Sequence, residues 1–362
     1  MSHSPLIKRK KTLPVMLGKI QVGGGAPITV QTMAKVNPHN IKAMIKQIIS
    51  LQDMGCDIIR VAIPDELAAK NIKAIKNEIS IPLVADIHFD HTLAIKALEA
   101  GADGLRINPG NIGGKDKIKA VVAAAIEHKA PIRVGVNSGS LEKKYGRVTH
   151  QAMVESALNN IKILENMGFD QIKVSVKASN VIQTIQAYRL LSTKCNYPLH
   201  LGVTEAGTAF AGTIHSTVAV GILLAAGIGD TIRVSLAESP ELEVKTGMEI
   251  LRSLNLRGGA LRVIVCPTCG RTMVDVIKIS HSVEDALAKL TKTNKVKKLP
   301  LVAVMGCMVN GPGEAMHADI AIAGGKGNAA LFIGGKYVKT IEENKIVEAV
   351  VKAVKHFIEK NS

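Results

Sequence analysis

PLVADIHFDHTLAIKALEAGADGLRINPGNIG, residues 82–113, holds one full beat of the pattern that decides the fold. Pro82–His88 is a short aliphatic run that turns polar at its end, in Asp86 and His88. A helical segment follows, and Gly101-Ala102-Asp103 returns the chain to a second run, Gly104–Pro109. That run also ends polar, in Arg106 and Asn108, with Asn111 just beyond. Glycine relieves the left-handed cap at a helix end, and a small loop then turns the chain back into a sheet. Two β-branched or aliphatic runs with a helix between them describe a parallel βαβ unit.

Outward from this stretch the same beat repeats at Ile28–Met33, Asp57–Ile63, Pro131–Asn137, Gln171–Lys177, Pro198–Thr204 and Thr231–Leu236. The turn signature recurs as Gly55-Cys56-Asp57, Gly168-Phe169-Asp170 and Gly229-Asp230. Eight strand–helix units in about 225 residues match the count of a TIM barrel; an open doubly wound sheet is the competitor, since its units look alike locally. The fold class read here is α/β: an N-terminal TIM (β/α)8 barrel over residues 1–256, then a small α/β domain over residues 257–362. The beat stops at Leu256-Arg257-Gly258-Gly259. Strands are then expected at Arg262–Val265, Leu301–Met305, Ile320–Ile322 and Leu331–Ile333, with a helix at Val283–Leu290 and a surface loop at Lys292–Pro300. A last helix is expected from about Ile341, with Thr340 and Glu343 as its capping box.

The composition agrees with buried parallel strands: of 362 residues 47% are hydrophobic and only 2% aromatic, so aliphatic side chains must build the core. No apolar stretch reaches the roughly 20 residues needed to span a bilayer. The basic cluster Lys8–Lys11 is not followed by an apolar run, so the start of the chain does not read as a secretory signal. A soluble, cytoplasmic protein is expected. The formal net charge of +16 invites a nucleic-acid role, but the cations are spread along the chain and paired aromatics for base stacking are missing. The expectation is therefore no nucleic acid and no membrane, with an anionic substrate or an acidic protein partner instead.

Active sites in TIM barrels lie at the C-terminal ends of the strands. Here those ends collect Gln31, Arg60, Asp86, His88, Arg106, Asn108, Arg133, Asn137, Lys177, Glu205, Arg233 and Ser235. Charge inside an apolar strand is costly unless paired. Four arginines and a lysine against Asp86 and Glu205 leave positive charge over, which suits a phosphate or diphosphate gripped by guanidinium groups.

Five cysteines without a secretory signal argue against a disulfide framework. Cys56 and Cys195 read as small buried hydrophobes. Cys266-Pro267-Thr268-Cys269 is a CxxC, and Cys307 lies in Gly306-Cys307-Met308-Val309-Asn310-Gly311-Pro312-Gly313-Glu314. Three cysteines fit a [4Fe-4S] cluster with one iron left without thiolate, for which Glu314 is the obvious oxygen ligand. A structural zinc site completed by His317 is the alternative, and it would make the protein a phosphate-ligand-binding barrel with a structural zinc domain.

Five motifs in order carry a resemblance: Val84–Phe89, Leu105–Gly113, Lys173–Ser179, Cys266–Cys269 and Val309–Glu314. Together they resemble the 4-hydroxy-3-methylbut-2-enyl diphosphate synthase family of isoprenoid precursor synthesis, in its compact bacterial form. The resemblance implies reductive ring opening and dehydration of 2-C-methyl-D-erythritol 2,4-cyclodiphosphate, with two electrons delivered through a [4Fe-4S] cluster. It implies cluster ligands Cys266, Cys269, Cys307 and Glu314, substrate contacts from Arg60, Asp86, Arg106, Asn108, Arg133, Asn137, Lys177 and Ser235, and a further contact from Asn310 of the second domain. Glu205 and Glu314 would be the catalytic carboxylates. A homodimer and an acidic electron donor, flavodoxin or ferredoxin, are also implied. The stretch Ala34–His39 departs from the Asn/Thr-rich continuation usual in the family, so no role is carried over to it.

Overall fold

The repeated Gly-x-Asp turns do more than reverse the chain. In the computed structural model, Asp57 accepts a hydrogen bond from the Val30 amide at 2.7 Å, Asp103 from the Leu83 amide at 2.7 Å, and Asp230 from the Leu199 amide at 3.0 Å. Each aspartate thus satisfies a backbone N–H at or beside the start of a neighbouring strand. Each is also held by a cation: Arg257 on Asp57, Lys76 on Asp103 and Arg9 on Asp230. Gly55 and Gly101 before two of these turns both lie at φ 97°, in the region that favours glycine.

The structure describes residues 7–257, 262–293, 299–308, 313 and 316–361. It divides into the units Met1–Arg257 and Gly258–Ser362. The first opens with a hairpin that the sequence did not announce, β1 (Val15–Leu17) and β2 (Ile20–Val22). Eight parallel strands follow: β3 (Thr29–Met33), β4 (Ile58–Ala62), β5 (Leu83–Asp86), β6 (Gly104–Ile107), β7 (Ile132–Asn137), β8 (Ile172–Lys177), β9 (His200–Leu201) and β10 (Thr231–Ile232). They run in the order β8-β7-β6-β5-β4-β3-β10-β9, and a parallel bridge between Val174 and Leu199 joins the two ends into a barrel.

The covering helices are α1 (Ile41–Asp53), α2 (Glu66–Glu78), α3 (His91–Glu99), the single turn α4 (Pro109–Ile112), α5 (Lys115–Glu127), α6 (His150–Glu165), α7 (Val181–Lys194), α8 (Ala209–Ala225) and α9 (Pro240–Ser253). Asn40, Asp65, Asp90, Thr149 and Asn180 cap α1, α2, α3, α6 and α7 through their side chains, each placed where the chain leaves the mouth. Ile59, Val61, Val134, Val136, Val174 and Val176 face these helices in one large aliphatic core. Each such side chain contributes about 1.5–3 kcal/mol by burial.

The alternate positions, which point into the barrel, are mostly polar above its lowest layer. TIM barrels usually fill this space with branched aliphatics. Here only the bottom is apolar, where Leu17 and Val22 of the hairpin meet Ile58 and Val84. A Cβ at Gly104 would come within 2.6 Å of Leu17, so the hairpin needs that glycine to seat itself.

In the second unit, β11 (Arg262–Val265), β12 (Leu301–Met305) and β13 (Ile320–Gly325) run parallel, and β14 (Asn328–Ile333) and β15 (Lys336–Glu342) complete the sheet antiparallel. The helices α10 (Val276–Thr293) and α11 (Ile346–Asn361) cover one face through Val276, Val283, Leu287, Ile346, Val350 and Val354. The expected last helix is corrected here. Gly334 and Gly335, at φ 56° and 76°, turn a hairpin; the β-branched residues after it extend as β15, and the helix waits until Ile346. Glu343 accepts from the Asp275 amide at 3.1 Å. The helix expected at Val283–Leu290 is longer at both ends, and it consumes the first residues of the expected loop.

Candidate active site

Register across the barrel sets the inward side chains in transverse rows. Asp86 pairs with Arg106, Arg106 with Arg133, and Arg133 with Lys173. Met33 pairs with Arg60, and higher up Asn137 pairs with Lys177. Above these rows opens a cavity of about 260 Å³ lined by Met33, Arg60, Asp86, His88, Arg106, Arg133, Asn137, Lys177, Thr204, Arg233 and Ser235. Four arginines and Lys177 face one carboxylate in that lining. Two larger grooves, of about 380 and 430 Å³, lie against α8 and hold no comparable charge. Chemistry, rather than size, marks the smaller cavity as the site.

The single carboxylate is heavily used. Asp86 is 3% exposed and stands 3.6 Å from Arg60, 3.2 Å from Arg106 and 3.4 Å from His88. Burial pushes its pKa up, but the charge of Arg60, the hydrogen bond with His88 and the charges of Arg106 and Arg133 outweigh it, so the group lies well below the usual carboxylate range. Arg60 is drawn down to about 10 by burial, with Arg233 and Arg106 adding to the effect and Asp86 opposing it. Arg133, drawn down by burial and by Arg60 and Arg106, donates to Ser175 Oγ at 3.0 Å while its Nε and Nη2 are buried without a partner among the described residues. Lys177 is pulled far below the ordinary lysine value by burial and by four arginines, Arg133 first. A field of this sign, carried largely on buried side chains, suits an anion.

Two glycines make room for the cations. A Cβ on Gly135 would lie 3.0 Å from Arg106 Nε, and one on Gly202 would lie 2.8 Å from Lys177 Nζ and 2.4 Å from the Arg233 carbonyl. Strand β7 at Gly135 and the residue just after β9, Gly202, therefore give up inward side chains so that Arg106 and Lys177 can cross the barrel.

The expected site residues divide. Arg60, Asp86, Arg106, Arg133, Asn137, Lys177 and Ser235 line the cavity together. Asn108 does not: it is 3% exposed, and its Oδ1 accepts from the Gly110 amide at 3.2 Å as the cap of α4. Glu205 is exposed on the loop after β9, at φ 51°, outside the cavity lining. Asn310 and Glu314 lie outside the described residues. Sequence reasoning missed Glu243, which is 1% exposed at the start of α9. It accepts from Thr32 Oγ1 at 2.5 Å and from the Leu236 amide at 3.0 Å, and stands 3.1 Å from Lys35 and 3.6 Å from Arg233. It thereby holds Arg233 from behind. Two acids in the first turn of α9, Glu241 and Glu243, were the available signal.

In the second unit, Val265 lies opposite Val304, so Cys266 and Cys307 leave the same edge of the sheet. The Cys266 amide donates to the Val304 carbonyl at 3.0 Å. The Cys269 amide donates to Thr272 Oγ1 at 2.9 Å, and the Met273 amide donates to the Gly306 carbonyl at 2.9 Å, tying the turn that holds Cys269 to the turn that holds Cys307. The Cys269 thiol is lowered by a backbone hydrogen bond at Arg271 and by the Arg271 side chain, against a raising influence of Cys307. No group of three or more His, Cys, Asp or Glu side chains among the described residues closes on a single metal ion. No helix among them is long and apolar enough to cross a membrane.

Known proteins bear on this arrangement directly. The family model described as the GcpE TIM-barrel domain matches residues 12–248, and the GcpE protein C-terminal domain matches residues 262–356. The chain belongs to the GcpE family. The protein named 4-hydroxy-3-methylbut-2-en-1-yl diphosphate synthase (flavodoxin) from Caldanaerobacter subterraneus subsp. tengcongensis is 52% identical over 97% of this chain and 98% of its own length. Those of Thermodesulfovibrio yellowstonii and Geobacter sulfurreducens, under the same name, are each 50% identical over 97% of this chain. This GcpE chain is accordingly an enzyme, an oxidoreductase of the isoprenoid pathway. Among solved structures, the barrel is similar to the dihydropteroate synthase of Yersinia pestis, at 13% identity, with a TM-score of 0.51 over 67% of this chain and 98% of the other. Type I 3-dehydroquinate dehydratase from Clostridium difficile gives the same TM-score at 16% identity, over 68% and 98%. These two likenesses speak for the barrel alone.

Proposed function

We propose that this GcpE enzyme opens the ring of 2-C-methyl-D-erythritol 2,4-cyclodiphosphate reductively and eliminates water, yielding 4-hydroxy-3-methylbut-2-enyl diphosphate. The observation that carries this reading is the cavity lined by four arginines, a lysine and one carboxylate, in a chain of this family. A cyclic diphosphate brings negative charge that Arg60, Arg106, Arg133, Lys177 and Arg233 answer, with guanidinium groups suited to paired phosphate oxygens. Asp86 keeps Arg60 and Arg106 oriented before the ligand arrives, so little reorganisation is needed on binding. Asn137, Thr204 and Ser235 add neutral polar groups for the hydroxyls of the carbon skeleton.

Cys266, Cys269 and Cys307 fit a [4Fe-4S] cluster. Their turns are tied together by backbone hydrogen bonds, two of them follow adjacent parallel strands, and Arg271 favours the thiolate at Cys269. Glu314 is the proposed fourth ligand and Asn310 a proposed substrate contact. When bound, such a cluster supplies single low-potential electrons and a Lewis-acidic iron. Glu205, at the exposed lip after β9, is the proposed proton carrier. A flavodoxin is the proposed electron donor, in keeping with the names of the relatives and with the chain's net charge of +16. The enzyme is proposed to act in the cytoplasm as a homodimer.

The test is anaerobic turnover of the cyclic diphosphate with reduced flavodoxin. Formation of the linear diphosphate, with the Michaelis constant raised at least about tenfold in Arg133→Met, is the expected result. Tight binding of the cyclic diphosphate without turnover by iron-replete protein would refute the reductase reading.

A further inference from the structure

Lys173 lies one tier beneath the cavity and has no part in the reading above. Along β8, Lys173, Ser175 and Lys177 alternate with Ile172, Val174 and Val176, which belong to the outer core. Ser175 accepts from Arg133, and Lys177 lines the cavity, so Lys173 points into the barrel below them. It is 2% exposed, and no hydrogen bond or ion pair reaches its ammonium among the described residues.

The groups that face it are nearly all cationic or neutral. Arg133 is its register partner on β7, and Lys177 stands above it on the same strand. From β9 comes His200, wholly buried, with neither ring nitrogen partnered among the described residues and its pKa held well below the ordinary value by burial first and then by Arg133. Arg60 and Arg106 lie beyond Arg133, and the one carboxylate of the row, Asp86, is already engaged by both. Gln31 on β3 likewise keeps both amide atoms unpartnered among the described residues. An ammonium in such a place has nothing to stabilise it until negative charge enters from above.

We propose that Lys173 takes up a proton from solvent when an anionic ligand fills the cavity, so that the tier beneath the site gains charge as the ligand binds. The Nζ lone pair accepts the proton and no other bond changes. The inference rests on the cavity being an anion site. Burial, with Arg133 adding to it, draws the pKa of Lys173 to about 7, so near neutral pH much of the empty enzyme carries it uncharged. A diphosphate over Arg133 offsets the repelling guanidinium and raises the value. The sign follows: the bound enzyme holds the proton more tightly, so affinity is highest at acidic pH and falls as pH rises through about 7, by at most about tenfold per pH unit.

Isothermal titration of the holoenzyme at pH 8, with the cyclic diphosphate and separately with inorganic pyrophosphate, in buffers of different ionisation enthalpy, counts the protons taken up. Wild type is expected to take up about half a proton or more beyond Lys173→Met. The variant is expected to melt no lower than wild type, since it loses an unpaired buried ammonium, and its affinity deficit should be widest near pH 6 and close towards pH 9. Lys173→Arg, permanently charged, should bind with a flatter pH dependence and serves if the methionine variant does not fold. Equal proton uptake in wild type and both variants, or a deficit that does not change with pH, would overturn the inference while leaving the anion site intact. Failure of both anions to bind would overturn the anion site and this inference together.

Discussion

Asp86→Asn tests the electrostatics of the site most sharply. The substitution keeps the shape of the side chain and removes the only negative charge in the cavity lining. Arg60 and Arg106 then lose their ion pairs, at 3.6 and 3.2 Å, inside a space where both are nearly sealed from solvent. Breaking a buried pair by removing one partner costs on the order of 3–5 kcal/mol, most of it for the charge left behind. For a unit the size of this barrel each kcal/mol shifts the melting temperature by about 2–4 °C, so a fall of roughly 6–20 °C is expected. Because the folded-state pKa of Asp86 is depressed, its contribution is present above the unfolded value of about 4 and is lost as pH falls through the lower folded value. The gap between variant and wild type should therefore stay constant from pH 8 to pH 5 and narrow only in stronger acid. The assay is thermal unfolding of both proteins across that range, with and without inorganic pyrophosphate, which should recover part of the loss by returning negative charge to the arginines. A variant that melts with wild type at pH 7, or a gap that closes between pH 8 and pH 6, would refute the reasoning.

Other expectations separate the site from its frame. Gly135→Ala should move Arg106 and lower kcat/KM by about tenfold while changing the melting temperature little, as steady-state kinetics beside a melting curve will report. Asp103→Ala removes the acceptor of the Leu83 amide and the partner of Lys76 at the far end of the barrel. It should cost about 1–3 kcal/mol in urea unfolding and leave KM unchanged. For the proposed reaction, the Michaelis constant for reduced flavodoxin should rise steeply between low and physiological salt, whereas that for the cyclic diphosphate, held among largely buried side chains, should respond less.

The barrel was legible because its signals are local. All eight expected runs contain a strand, and the Gly-x-Asp turns that marked them have a structural duty, since Asp57, Asp103 and Asp230 cap neighbouring strands. The cationic mouth was legible because arginines inside aliphatic strands are conspicuous. What stayed hidden depends on tertiary placement. The hairpin at Val15–Val22 is too short and irregular to read as a strand pair, and it exists because Leu17 and Val22 complete the barrel floor. Glu243 sits in an ordinary amphipathic helix, and only the closed ring brings its carboxylate to Thr32, Lys35 and Arg233. Asn108, which the resemblance makes a substrate contact, also caps the turn at Pro109–Ile112 through its Oδ1, a duty only the folded turn reveals, while its Nδ2 keeps no partner among the described residues. In the second unit, a run of β-branched residues ahead of a helix was read as the helix's own start, and the Gly334-Gly335 hairpin decides otherwise.

The proposed reductase joins an anion-binding barrel to an iron–sulfur domain, and its most direct test is the metal content of anaerobically purified protein. About four irons and four acid-labile sulfides per chain are predicted, falling sharply in Cys307→Ser. About one zinc per chain with no sulfide would contradict the account and leave the cysteines a structural duty alone.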